Sequence, residues 1–124
     1  MEKHYSHSAT ILPVTDVKQT AEYYEQVLGF TIEFLWEDPP SYAVLKANEN
    51  ISIHLSRHDT IAPGRKAALY IFVSEIDEFY ETLKRRGARI TAEIGDRDYQ
   101  MRDFDIEDPN GYQITFGCAL ELVR

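Results

Sequence analysis

Residues 102–117 read RDFDIEDPNGYQITFG, two runs of alternating polar and apolar residues around Asp108-Pro109-Asn110-Gly111. Alternation of period two is the pattern of a strand with one buried face, and a Pro-Asn-Gly centre is a reversal signal. The stretch therefore predicts a β-hairpin. Pro109 supplies the fixed φ of the first central turn position, and Asn110 and Gly111 tolerate left-handed backbone. Register follows from the turn: Phe104, Ile106, Tyr112, Ile114 and Phe116 share one face, while Asp103, Asp105, Gln113 and Thr115 share the other. A polar second face either meets water or lines a pocket.

Working outward, the same kind of unit is found twice. In the first half, residues 8–14 predict a strand, Thr15 and Asp16 are cap-type residues, and Val17, Ala21, Tyr24, Val27 and Leu28 recur at helical spacing before Gly29. Pro13 demotes the end of the strand to an edge or bulge. Strands over 31–36, 42–47 and 51–56 follow. Residues 59–66, with Pro63-Gly64, form a polar loop. In the second half, 67–73 predicts a strand, Ser74 a cap, 75–86 a helix closed by Gly87, 90–93 a short strand, and the hairpin completes the unit. Val14-Thr15-Asp16-Val17 returns as Val73-Ser74-Glu75-Ile76. The expectation is α+β: one domain over 1–124 made of two βαβββ modules, about 8–58 and 67–118, which join in one cupped mixed sheet with helices outside.

Composition sets the outer limits. A chain of 124 residues with 44% hydrophobic content is long enough for a core, and such a chain buries roughly two thirds of its unfolded surface. No apolar run approaches the ~20 residues of a membrane span. The formal charge of −8 opposes nucleic-acid binding and favours cationic small molecules. A single cysteine, Cys118, and an amino terminus without a leader-like apolar segment point to the cytoplasm. The sequence contains neither a Gly-x-Ser-x-Gly nucleophile elbow nor a phosphate loop, so no catalytic residue and no cofactor is assigned.

With these motifs placed, the chain resembles the vicinal oxygen chelate superfamily of glyoxalases, extradiol dioxygenases and bleomycin-resistance proteins. The resemblance is carried by Val14-Thr15-Asp16-Val17 leading through Tyr23-Tyr24 and Leu28-Gly29 to Phe30, by Phe72-Val73 to Tyr80, by Met101-Arg102-Asp103-Phe104, and by Asp108-Pro109-Asn110-Gly111. Metal enzymes of that superfamily hold a divalent ion through inward His, His or Gln, and Glu side chains. The positions that match are Ala9, Ala68 and Thr115, which lack imidazole and carboxylate. The resemblance thus implies the bleomycin-resistance branch: metal-free homodimers that sequester a flat, cationic antibiotic. The alternative is a metal-dependent lyase, isomerase or dioxygenase with displaced ligands, for which His7 and His54 are the first residues to consider. A third is a pocket that has become vestigial.

Strand parity selects the candidate ligand-binding residues. Tyr70 and Phe72 project from the fifth strand, and Trp36, Tyr42 and Tyr99 from neighbouring strands or loops, as faces for stacking and cation–π contact. Asp103 and Asp105, with Glu37 and Asp38, are candidate counter-charges, and His54 a hydrogen-bond partner. Tyr99 lies in Arg97-Asp98-Tyr99-Gln100, where the branch carries Gln-Pro-Trp-Gly, and takes the place of the Trp.

Overall fold

The computed structural model describes residues 3–123 and divides into two compact units, residues 1–62 and 63–124. The first unit runs β1 (Thr10–Val14), α1 (Val17–Gln26), β2 (Thr31–Trp36), β3 (Tyr42–Asn48) and β4 (Ile51–Arg57). Its sheet has the order β1-β4-β3-β2, with β1 parallel to β4 and the other pairs antiparallel. The Asp16 carboxylate caps α1 by accepting from the Gln19 N–H at 3.0 Å. Beyond its end, Gly29 adopts φ 83°, and the chain reverses so that the Phe30 N–H reaches the Tyr24 carbonyl at 2.9 Å. Val17, Thr20, Ala21 and Tyr24 form the buried stripe of α1, which packs on β2, β3 and β4. Leu45, Ile53 and Leu55 are fully buried in this unit, and side chains of that kind stabilise by roughly 1.5–3 kcal/mol each.

The second unit repeats the plan with β5 (Lys66–Phe72), α2 (Ile76–Arg85), β6 (Arg89–Asp96), β7 (Met101–Glu107) and β8 (Tyr112–Ala119), followed by a 3-10 turn at Leu120–Leu122. The sheet order is β5-β8-β7-β6, and β5 is parallel to β8. Its core is aromatic: Tyr80 of α2 meets Phe104 at 4.8 Å between ring centroids, and Phe79 meets Phe116 at 5.1 Å. The α+β class and the two βαβββ modules are as the sequence predicts. The hydrogen-bonded sheets are two of four strands each rather than one continuous sheet. No helix among the described residues is long and apolar enough to cross a membrane.

Local differences from the sequence reading have local causes. The first strand begins at Thr10, leaving Ser8 and Ala9 outside it. Ser74 does not cap α2; the cap position is Glu75, held at φ 51° without a side-chain hydrogen bond to the helix. The matched positions Asp16 and Glu75 thus both open a helix, one by side-chain capping and one by a left-handed backbone. Strand β6 runs to Asp96 rather than 93, because two register shifts against β7 absorb the residues around Ala92 and Gly95. In the hairpin turn Gly111 alone is left-handed, at φ 87°. The Asp108 carboxylate holds the reversal by accepting from the Asn110 and Tyr112 N–H groups at 2.8 and 2.9 Å.

Candidate functional site

Each sheet has one face covered by its own helix and one open face, and every candidate residue on a strand lies on an open face. In the first unit, cross-strand register sets two rows. Ile11, His54, Val44 and Phe34 stand opposite one another in one, and Pro13, Ser56, Tyr42 and Trp36 in the other. Alternation decides this side, because Ile53, Leu55, Ala43 and Leu45 between them are buried under α1. Tyr42 and His54 form a pair, hydroxyl to Nδ1, at 2.6 Å with edge-on rings. Trp36 and Phe34 are exposed and lie 6.2 Å apart between centroids. Phe34 is a member of this face that the sequence reading missed, although its spacing of two from Trp36 is the signal that finds it. Glu37, at φ 73°, accepts a hydrogen bond from the Ser41 hydroxyl and is engaged in its own turn.

In the second unit the rows are Tyr70, Thr115, Asp105 and Ala92, and beside them Phe72, Gly117, Asp103 and Gly95. Ile71, between the two exposed rings, is buried. Tyr70, Phe72 and Tyr99 are exposed by 39%, 70% and 61%, so they present ring faces rather than core packing. The Tyr70 and Phe72 rings are 5.1 Å apart. The Tyr70 hydroxyl crosses Gly117 to donate to Asp103 Oδ2 at 2.8 Å, where the Tyr99 hydroxyl also donates at 2.6 Å. Glycine at 117 leaves room for this reach, since a Cβ there would clash with the Tyr70 hydroxyl and displace it.

Asp103, a candidate counter-charge in the sequence, already has a cation of its own. Its residue is 2% exposed, and Arg97 Nε pairs with Oδ1 at 2.7 Å. Burial alone would raise its pKa, but the bonds from Arg97, Tyr99 and Tyr70 outweigh it and hold the carboxyl below the usual range. Burial followed by the Asp103 bond raises the Tyr70 phenol, and the Asp103 bond leads the rise at Tyr99. Asp105 differs. It accepts from the Thr115 hydroxyl at 2.6 Å and has no cation within ion-pair distance among the described residues. Sequence patterning placed both acids on this face; it carried no signal that Arg97, six residues earlier, would fold back onto one of them.

The positions that match a metal centre do not make one. Ala9 precedes β1, Ala68 sits at a register shift of β5, and the Thr115 hydroxyl is committed to Asp105. Two methyl groups and one engaged hydroxyl do not replace the water of a divalent ion. Among the described residues no three His, Cys, Asp or Glu side chains gather to hold one. His7 lies in the segment before β1 and bonds to the Ser6 hydroxyl.

Against known proteins, residues 4–116 match the Glyoxalase/Bleomycin resistance protein/Dioxygenase superfamily. The bleomycin resistance proteins of Geobacillus stearothermophilus and Staphylococcus aureus are each 31% identical over 127 residues, covering 88% of this chain and 93% of the relative. In structure, the chain is similar to TioX from Micromonospora sp. ML1, with TM-score 0.78 and 22% identity over 94% of this chain and all of that one. It is also similar to the bleomycin-binding protein of Streptomyces verticillus, solved with copper(II)-bleomycin, with TM-score 0.75 and 22% identity over 94% of this chain and 97% of that one. At that identity the structural likeness speaks for the fold. The two βαβββ modules, the matched span and the relatives agree, and the chain belongs to the Glyoxalase/Bleomycin resistance protein/Dioxygenase superfamily.

Proposed function

We propose that this protein is a metal-free, homodimeric binding protein that sequesters a flat, cationic small molecule, in the manner that the names of its bleomycin-resistance relatives suggest. The observation that carries the reading is the open face of the second unit, where three exposed rings, Tyr70, Phe72 and Tyr99, accompany a carboxylate, Asp105, that has no cation within ion-pair distance among the described residues. Rings offer a cation about 0.5–2 kcal/mol each, depending on desolvation. A carboxylate without a counter-ion supplies the long-range attraction. Trp36, Tyr42 and His54 present a second aromatic face on the first unit, with the His54 imidazole as hydrogen-bond partner. The donor chemistry at Ala9, Ala68 and Thr115 supports the metal-free form. Ile11 and Phe34, exposed on the open face of the first unit, support self-association through it, and one buried thiol is in keeping with a cytoplasmic protein.

Calorimetry with metal-free and copper(II)-bleomycin, beside simple planar cations, tests the reading. A ligand at 100 times its Kd raises stability by about 2.7 kcal/mol, so binding also registers as a higher Tm. Phe72→Ala weakens the interaction without unfolding the protein, since its ring is open to solvent. Absence of heat and of thermal shift with every cation tried, or one tightly held divalent metal per chain after dialysis against chelator, removes the proposal. A sedimentation mass near 14.4 kDa at tens of micromolar removes the homodimer.

A further inference from the structure

Asp103 combines features that a merely sheet-stabilising acid does not require. Its carboxylate is buried, yet two of its three donors are phenols whose rings are exposed. Burying an anion is costly unless it is paired and fully bonded. Here the pairing comes from Arg97, whose guanidinium is itself fixed by Nη2 bonds to the Glu93 and Asp103 carbonyls at 2.8 and 3.0 Å. The β6–β7 turn that delivers Arg97 and Tyr99 is closed by Arg97 N–H to the Met101 carbonyl at 2.7 Å and needs Gln100 at φ 69°. On the other side, Gly117 leaves the gap across which Tyr70 reaches.

We propose that Asp103 is a positioning residue: with Arg97 as its internal counter-ion and Gly117 as the gap beneath, it locks the Tyr70 and Tyr99 rings into a preformed, electrically neutral wall, while the ligand's positive charge is read by Asp105. The inference rests on the binding face proposed above and narrows the ligand class. Asp103 and Asp105 are on the same strand face two residues apart, roughly 7 Å along the strand. The ligand that fits is therefore a planar ring system that carries a cationic group. Rings fixed during folding need not be ordered at binding, and ordering a side chain weakens association by about two- to tenfold.

The test compares naphthylpropylammonium with uncharged naphthylpropanol by fluorescence titration, alongside ultraviolet titration of tyrosinate in the ligand-free protein. Wild type prefers the cation, and Asp105→Asn abolishes that preference while keeping the alcohol's affinity. The charge-balanced Asp103→Asn/Arg97→Gln variant, which removes the acid together with its counter-ion, weakens both probes equally, by about two- to tenfold per ring released, and keeps the preference. It also brings two of the eight tyrosines down in the titration. Loss of the cation preference in that charge-balanced variant overturns the proposal, because Asp103 then reads the charge itself. Wild-type tyrosine titration in that variant overturns it as well. Should that variant not fold, the Tyr70→Phe/Tyr99→Phe pair removes both phenol donors and leaves the Arg97–Asp103 pair; unchanged affinity for both probes there overturns it. Wild type that binds neither probe overturns the binding face, and the positioning role then stands or falls on the tyrosine titration, which needs no ligand.

Discussion

Replacing Gly117 by Ala isolates the packing of Tyr70 in one methyl group. The added Cβ clashes with the Tyr70 hydroxyl and crowds the ring atoms Cε1 and Cζ at 2.6 Å, so the ring has to leave Asp103. The bond lost is a phenol to a buried carboxylate, worth about 1.5–3 kcal/mol as a hydrogen bond to a charged group. Gly117 is in β8 and is not among the residues with left-handed backbone, so Ala is free of backbone strain there. The substitution by itself then stabilises by roughly 0.5–1 kcal/mol, through lower unfolded-chain entropy. The balance is a loss of about 1–2 kcal/mol, or on the order of 4–8 °C in Tm for a chain of this size. In a Tyr70→Ala background the obstacle is gone, and the same substitution should raise stability by its intrinsic ~0.5–1 kcal/mol. Urea melts of wild type, the two single variants and the double variant give the coupling, expected at about 2 kcal/mol. Equal losses in both backgrounds, or a neutral Gly117→Ala, would refute the account of Tyr70.

Gly111→Ala should cost more than Gly117→Ala, since Gly111 combines φ 87° with a carbonyl, that of Gly64, in the path of a Cβ; thermal melts check the order. Glu75→Gly should stabilise by a few tenths to about 1 kcal/mol, because it relieves a left-handed non-glycine residue that makes no side-chain cap, whereas Asp16→Ala should destabilise by about 0.5–2 kcal/mol; both are read from urea midpoints. Asp103, held low in the folded state, contributes stability that is complete above the ordinary carboxylate range and lost as pH falls through its depressed folded value. Acid unfolding below about pH 4 should therefore shift when Asp103 is Asn. Tyr70 and Tyr99 have raised folded values, so their contribution is complete below the ordinary phenol value, about pH 10, and is lost as pH rises beyond it. Base titration of Tyr99→Phe should show less of that loss.

The architecture was legible because it depends on short-range signals. Alternation over residues 102–117 placed Phe104, Ile106, Ile114 and Phe116 on the buried side, and all four are buried. Helical spacing found Tyr24, Ile76, Tyr80 and Leu83 for the same reason: 3.6-residue periodicity is a property of the segment itself. What failed were the features set by backbone conformation. Ser74 has the chemistry of a cap, but the left-handed turn at Glu75 moves the helix start by one residue. The length of β6 was underestimated because Gly95 reads as a break, while in the sheet it faces Asp103 across a register shift.

The site shows the same division more sharply. Parity correctly put Tyr70, Phe72, Asp103 and Asp105 on one face, since a residue's side of a strand is a local matter. Whether an acid on that face remains available to a ligand depends on which cation the tertiary structure brings to it. Asp103 and Asp105 are alike in the sequence, separated by one residue in the same alternating run, and both are ordinary surface acids by composition. The turn between β6 and β7 makes them different, because it swings Arg97 and Tyr99 onto Asp103, while Asp105, one row along, is left with Thr115. One carboxylate is thereby bonded to aromatic hydroxyls and a guanidinium, and the other to a single threonine hydroxyl. A single turn has made two acids of one alternating run unlike, and on the proposed roles that difference is the polarity a ligand would match.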